Sequence, residues 1–506
     1  MKFFDSILKN APKRSKFDMS QEKKLSFNQG ELIPILCQDI LPGDTFRVHT
    51  ELLIRLAPMI APPYTRMAVT VQYYFVPWRL VWNESEHFIT GGEEGSVQPI
   101  HPYFRGPITD RPDLFGTGSL CDYMGIPVFD VPVAAPGQQQ NFSALPFRAY
   151  QTIYNEYFRD QDLTPAVPTT KLSGEIDNLE LIDILKLRKK SWEKDRFTSA
   201  RPWAQKGEPV TLPVGYAQRS NVINENGIPA TAGPLVSNAT GNLDAGTPAV
   251  GSRIENLDVG TINDLRKAHA LQRFLEKLAR GGSRYAEYLK NIWGTRSADS
   301  RLQRPEYLGG FRQPVVISEV LSTYDNTAGN LPQGTMSGHG ISVGGNHGFN
   351  HTFTEHGYVI GVMHVIPRTS YMQGIPRHFQ RFTRLDHAIP DFANLGEQEI
   401  KNKEVYIDFS DTTPPVDPEG VFGYEERYGE YKFNQNSSHG DFRGDLAFWT
   451  QDRIFPSAPQ LNANFVEADP TNRIFAVQDP DIHHLWAQMY NRIDAIRPLP
   501  YHADPR

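Results

Sequence analysis

Between residues 46 and 56 apolar and polar side chains alternate. Phe46, Val48, Leu52, Ile54 and Leu56 fall on one parity and Arg47, His49, Glu51 and Arg55 on the other. That two-residue repeat predicts a strand buried on one face. Met67, Val69, Val71, Tyr73 and Phe75 repeat it. Residues 315–321 and 358–366 are nearly continuous apolar runs, as expected of strands covered on both faces. Val405, Ile407 and Phe409 alternate with Glu404 and Asp408, which predicts one strand more.

Helical spacing interrupts these strands. Phe147, Tyr150, Ile153, Tyr154, Tyr157 and Phe158 share one helical face, with Pro146 near the start. A second helix is predicted over 179–194. In the segment 261–315, Leu265, Ala268, Leu271, Phe274, Leu275 and Leu278 recur at helical spacing, with Thr261 as a cap and Gly281 as a stop. Ser283 can cap another helix, which Gly294 ends. An irregular loop rich in arginine, proline and paired glycine follows and runs into EYLGGFRQPV. Strands separated by long, helix-bearing excursions suit an antiparallel sandwich with expanded loops, and pattern alone stops there.

Two stretches lack the means to build a core. Residues 217–273 contain no Phe, Tyr or Trp, and 221–260 are rich in Gly, Asn, Ala and Thr. An exposed or disordered insertion is expected at about 216–260. A second, Gly-rich loop is expected at about 323–350.

Composition narrows the class. The 506 residues include 40 Gly and 39 Pro, so turns and long loops are expected in place of a helical bundle. The formal charge of −7 argues against a surface that grips nucleic acid everywhere, so any such contact must be local. With only Cys37 and Cys121, a disulfide framework and a multi-cysteine zinc site are both excluded. The opening residues MKFFDSILKNAPKR have too short an apolar run for a signal peptide, and no run approaches a membrane span.

Catalytic motifs are weak. Gly340, Ser342 and Gly344 match a nucleophile pattern, which needs a strand before the serine and a helix after it. Both flanks read as loop. His339, His347, His351 and His356 cluster without metal-site spacing, and no metal or cofactor is expected. The pairs Glu93–Glu94, Glu425–Glu426 and Asp479/Asp481 read as solvated faces. Enzymatic activity is not expected. A jelly-roll carbohydrate-binding or glycoside-active protein is the alternative, and it requires an aromatic platform with a convergent carboxylate pair. A spike-type virion protein is a second alternative.

Longer blocks carry a resemblance. They include LPGDTF at 41–46, VQYYFVPWRLVWNESEHFITGG at 71–92, LPFRAYQTIYNEYFRDQDL at 145–163 and SWEKDRFTSARPWAQKGEPVTLPVG at 191–215. The helical pair and arginine loop of 261–315, TEHGYVIGVMHVIPR at 354–368 and FGYEERYGEYKFNQNSSHGDFRGDLAFW at 422–449 complete the set. In this order they resemble the major capsid protein of the small icosahedral single-stranded DNA phages, the Microviridae, nearest the gokushovirus-like branch.

The resemblance implies an all-β fold, an eight-stranded antiparallel jelly roll whose long loops carry several α-helices. It implies a basic arm over 1–40 and a single capsid domain over 41–506. Sixty copies would enclose a circular single-stranded DNA genome in an icosahedral virion assembled in the bacterial cytoplasm. The partners implied are an internal scaffolding protein, a DNA pilot protein, a small basic DNA-packaging protein and a host cell-surface receptor.

Residue candidates follow. Residues 1–24 hold seven Lys or Arg against three acidic groups. Lys9, Lys13, Arg14, Lys16, Lys23 and Lys24 are candidates for the DNA-facing surface through phosphate contacts. A solubilising tail or an arm clamping a neighbour fits the same charges. Arg301, Arg304, Tyr307, Gly309 and Gly310 are candidates for subunit contacts, because arginine forks and aromatic rings serve buried interfaces. Asn221, Asn226, Asn238 and Asn242 are candidates for the outward, receptor-facing surface.

Overall fold

The computed structural model describes residues 13–92, 96, 98–108, 111–128, 140–208, 210, 223–224, 236–237, 243–244, 250–251, 262–321, 336–410 and 416–502. The chain divides into two compact units, one of Met1–Pro202 with Gly282–Arg506 and one of Trp203–Gly281.

The first unit is built on two antiparallel sheets. Its main strands are β1 Ser15–Asp18, β2 Gln21–Phe27, β3 Ile33–Ile40, β4 Thr45–Leu56, β5 Met67–Pro77, β6 Glu306–Pro314, β7 Val316–Leu321, β8 Met336–Thr352, β9 Gly357–Pro367 and β10 Leu485–Arg497. One sheet runs β1-β10-β4-β8-β7, with β2 also paired to β10, and the other runs β6-β5-β9-β3. Period two in β4 puts Phe46, Val48, Leu52, Ile54 and Leu56 into the core between the sheets. From the other sheet Val69, Val71, Tyr73 and Phe75 of β5 meet them.

The second sheet is covered twice, and this explains the unbroken apolar run of β9. Val359, Met363 and Val365 enter the sandwich core, while Ile360 and Val362 face a helical layer. That layer includes the predicted helix, which spans Leu145–Ile153 as an α-helix and Tyr154–Phe158 as a π-turn. Burying each such aliphatic side chain contributes about 1.5–3 kcal/mol.

Several expectations need correction. The helix predicted over 179–194 spans only Asn178–Leu185, because the charged 186–194 stretch has no apolar stripe to bury. The predicted strand at 405–409 is absent: Asn402–Val405 is a short helix and Phe409 is exposed. The run at 316–321 is not covered on both faces, since Val316 is exposed. The Gly-rich stretch expected as a loop at about 323–350 contains β8, whose 17 residues pair with β4 and β7. Glycine permits that strand because neighbours come too close for a side chain: a Cβ on Gly338 would lie 2.6 Å from the Ala61 carbonyl oxygen. Residues 322–335 lie outside the described residues.

The sequence LWAQMYNRIDAIR of β10 alternates as cleanly as β4, yet it was not predicted. It pairs with β4, β1 and β2, so Ser15–Asp18 and Gln21–Phe27 of the predicted arm are hydrogen-bonded into the sandwich.

The second unit contains the helix Ile262–Gly281, as predicted. Leu265, Leu271 and Phe274 of its stripe are exposed. Four two-residue strands form the pairs Val236–Ser237 with Leu243–Asp244 and Ile223–Asn224 with Val250–Gly251. Asn221, Asn226, Asn238 and Asn242 lie outside the described residues.

Candidate subunit and genome contacts

The predicted interface segment is a turn through Arg301 and Arg304 that runs into a strand. Glu306–Pro314 pairs with β5, with a bulge between Tyr307 and Gly309. Both glycines serve the fold. A Cβ on Gly310 would lie 2.3 Å from the Val71 carbonyl oxygen, and one on Gly309, at φ 151°, would lie 2.4 Å from that of Gly348. They allow close packing inside one subunit.

Arg304 is also engaged internally. Its Nε donates to Asp299 Oδ1 at 2.8 Å, and its guanidinium lies 4.9 Å from the Tyr157 ring centre. The Tyr157 hydroxyl donates to the Pro305 carbonyl at 2.5 Å. Tyr74 stands 4.6 Å from the Tyr157 ring and 5.5 Å from the Tyr307 ring. The loop is thus fastened to the sheet, and Arg301 and Tyr307 are left at the surface, Tyr307 46% exposed.

The basic segment splits in the same way. Lys9 lies outside the described residues. Lys13 and Arg14 are exposed, Lys16 pairs with Asp494 at 2.8 Å and Lys24 is exposed beside Glu22. Lys23 points inward: it donates to the carbonyls of Pro34 and Tyr123, and burial pushes its ammonium down to about 8. Its ammonium is thus engaged inside the subunit.

Sequence reasoning missed a buried charge network. Arg196 pairs with Glu404 at 2.6 Å and Glu425 at 2.7 Å. Arg377 pairs with Glu404 at 3.0 Å, and Arg381 with Glu430 at 2.9 Å. Glu425 was expected on a solvated face and is buried instead. Nothing local marks these residues, and Arg196 meets Glu404 and Glu425 from 208 and 229 positions away. Phe197, Tyr371, Ile400, Val405 and Phe422 form a small core beside the network. The segments around it expose Phe379, Phe382, Leu385, Leu395 and Phe433. Exposed apolar groups at this density mark contact surfaces.

The catalytic motif is contradicted in its context. Ser342 lies inside β8, is 2% exposed and donates to the Pro314 carbonyl at 2.9 Å. The flanks are strand on both sides, with no helix after the serine. The histidines are dispersed: His356 stacks on Trp78, and His351 stands 3.9 Å from Glu306. Among the described residues no three His, Cys, Asp or Glu side chains gather as a metal site. Among them, too, no helix is long and apolar enough to cross a membrane.

Comparison with known proteins closes the description. Residues 6–506 match the family model described as capsid protein (F protein). The chain is 36% identical to the capsid protein VP1 of Bdellovibrio phage phiMH2K, covering 96% of this chain and 94% of that one. It is 33% identical to the capsid protein VP1 of Chlamydia phage 1, over 97% and 95% of the two chains. With the capsid protein VP1 of Spiroplasma virus 4 the identity is 30%, over 97% and 95%.

Proposed function

We propose that this chain, which belongs to the phage capsid protein (F protein) family, is the major structural subunit of a Microviridae virion and works by tiling with copies of itself. The observation that carries this reading is the match over nearly the whole length of three capsid proteins. The two-sheet sandwich agrees with it.

The finer fold is a jelly roll. Eight strands, β3 to β10, divide four and four between the sheets. The steps from β3 to β4, β4 to β5, β6 to β7 and β8 to β9 each pass from one sheet to the other. Such alternation supports a rolled Greek-key path. Sixty copies close an icosahedral shell around circular single-stranded DNA. Closed heterologous contacts of this kind tolerate modest affinity each, because every subunit is held by several neighbours.

Lys13, Arg14, Lys16 and Lys24 face the genome or the small basic packaging protein, and Arg301 and Tyr307 touch a neighbouring subunit. The internal scaffolding protein and the DNA pilot protein are further partners during assembly in the host cytoplasm. The 216–260 insertion meets the host receptor.

Expression of the full chain, with and without the scaffolding protein, tests the reading by sedimentation and negative-stain imaging. Uniform closed particles are expected. A monomer under all conditions that binds sugars would overturn it in favour of the carbohydrate-binding alternative.

A further inference from the structure

One recess combines features that no internal role uses up. It encloses about 630 Å³ and is lined by Arg377, Arg381, Glu430, Phe379, Phe433 and Arg443, among others. Arg381 forms part of its wall. The side chain is 9% exposed, bonds Glu430 and stacks 4.0 Å from the Tyr431 ring centre. Its Nε is nevertheless buried with no hydrogen-bond partner among the described residues. Both amide atoms of Gln435, also in the lining, are in the same state. Buried donors and acceptors left unmet cost free energy.

The rim is apolar and basic. Phe379 is 67% and Phe433 62% exposed. Arg443 bonds only the Ser438 carbonyl and His439, and has no carboxylate partner among the described residues. In a chain of net charge −7, this site calls for a short acidic segment with apolar flanks.

The chain carries such a segment. Residues 476–482, AVQDPDI, are exposed at every position. Asp479 and Asp481 make no ion pair among the described residues, and Val477 and Ile482 flank them with exposed aliphatic surface. The turn is braced from beneath. Ile474 and Phe475 are buried, Ala476 N donates to the Pro58 carbonyl at 2.9 Å and Ile482 N to that of Asp479 at 3.2 Å. His484 Nε2 lies 2.8 Å from the Val477 carbonyl oxygen. Pro480 fixes one dihedral more. A knob already rigid loses little entropy on docking.

We propose that the recess is a socket for a second copy of this chain, and that the 476–482 knob of that copy fills it. The contact is heterologous: each subunit offers its knob to one neighbour and its socket to another, as a closed ring of copies requires. Arg443 meets Asp479 or Asp481 at the rim, and Val477 and Ile482 lie against Phe379 and Phe433. The proposal rests on the shell reading above and adds which surfaces meet.

Charge reversal tests it. Arg443→Glu, the pair Asp479→Lys with Asp481→Lys, and all three together are introduced into the full chain. Every site is exposed, so thermal unfolding of each variant should match the unaltered chain. Particle yield is expected to fall by at least about tenfold in the socket variant and in the knob variant, since like charges then face each other in every contact of the shell. The triple variant should regain most of that yield. Unaltered yield in either reversed variant, or failure of the triple to recover, overturns the pairing and leaves the shell reading standing. Normal particles with reduced DNA content from Arg443→Glu would overturn it in favour of the genome as occupant. Absence of particles from the unaltered chain would overturn the shell reading, and this proposal with it.

Discussion

Arg148 donates through Nε to Glu180 Oε1 at 3.1 Å, with the two side chains only 1% and 6% exposed. The same guanidinium reaches the Leu172 carbonyl and Thr170, while Glu180 accepts from the Thr170 amide and hydroxyl. One ion pair thereby joins the helices Leu145–Ile153 and Asn178–Leu185 and the loop before the second. Breaking it by Glu180→Leu should leave a buried, uncompensated cation and cost about 3–5 kcal/mol. Replacing both partners, Arg148→Leu with Glu180→Leu, should cost less than either single change. Chemical unfolding of the three variants checks the order.

Gly310→Ala tests whether the paired glycines serve the fold or the assembly. The added methyl meets the Val71 carbonyl oxygen at 2.3 Å, a rigid backbone neighbour. Soluble yield and unfolding midpoint should both drop, by about 1–3 kcal/mol in stability, as overpacking predicts. A normally stable subunit that fails only in particle formation would return Gly310 to the interface.

Glu31 predicts a pH dependence. Burial raises its carboxyl from an ordinary 4.5 to about 7, against the opposing hydrogen bond from the Asn28 amide. A raised native value means that the folded chain binds the proton more tightly. Its stabilising contribution is therefore present below pH 4.5 and is lost as pH rises through 7. Glu31→Gln can keep the bond to Asn28 and removes the charge. The variant should be more stable than the unaltered chain at pH 8 and close to it at pH 5. Unfolding curves at the two pH values decide; an equal difference at both would sink the assignment.

Shortening 221–260 should spare particle formation and change infection or the outer profile of the particle. Particle counts together with plaque assays measure the two effects separately. Loss of all particles would place the segment in the shell contacts instead.

Local chemistry made part of this protein legible from its residues. The alternation in 46–56 and 67–75 reports which face of a strand is buried, and each residue carries that information on its own. The helix at 145–158 and the helix at 262–281 were legible for the same reason, as was the double coverage of β9. The long blocks quoted from 41 to 449 were specific enough to identify the family. Elsewhere local chemistry misled. Glycines at 338–348 read as loop, but they form a strand because the Ala61 backbone and the Tyr73 ring lie where their side chains would be. Lys23 reads as DNA-facing and turns inward, because the Pro34 and Tyr123 carbonyls accept from its ammonium. Glu425 reads as exposed and meets Arg196 from far along the chain. Only the tertiary structure decided such cases, because the partner that sets a residue's environment is remote in sequence and local pattern carries no term for it.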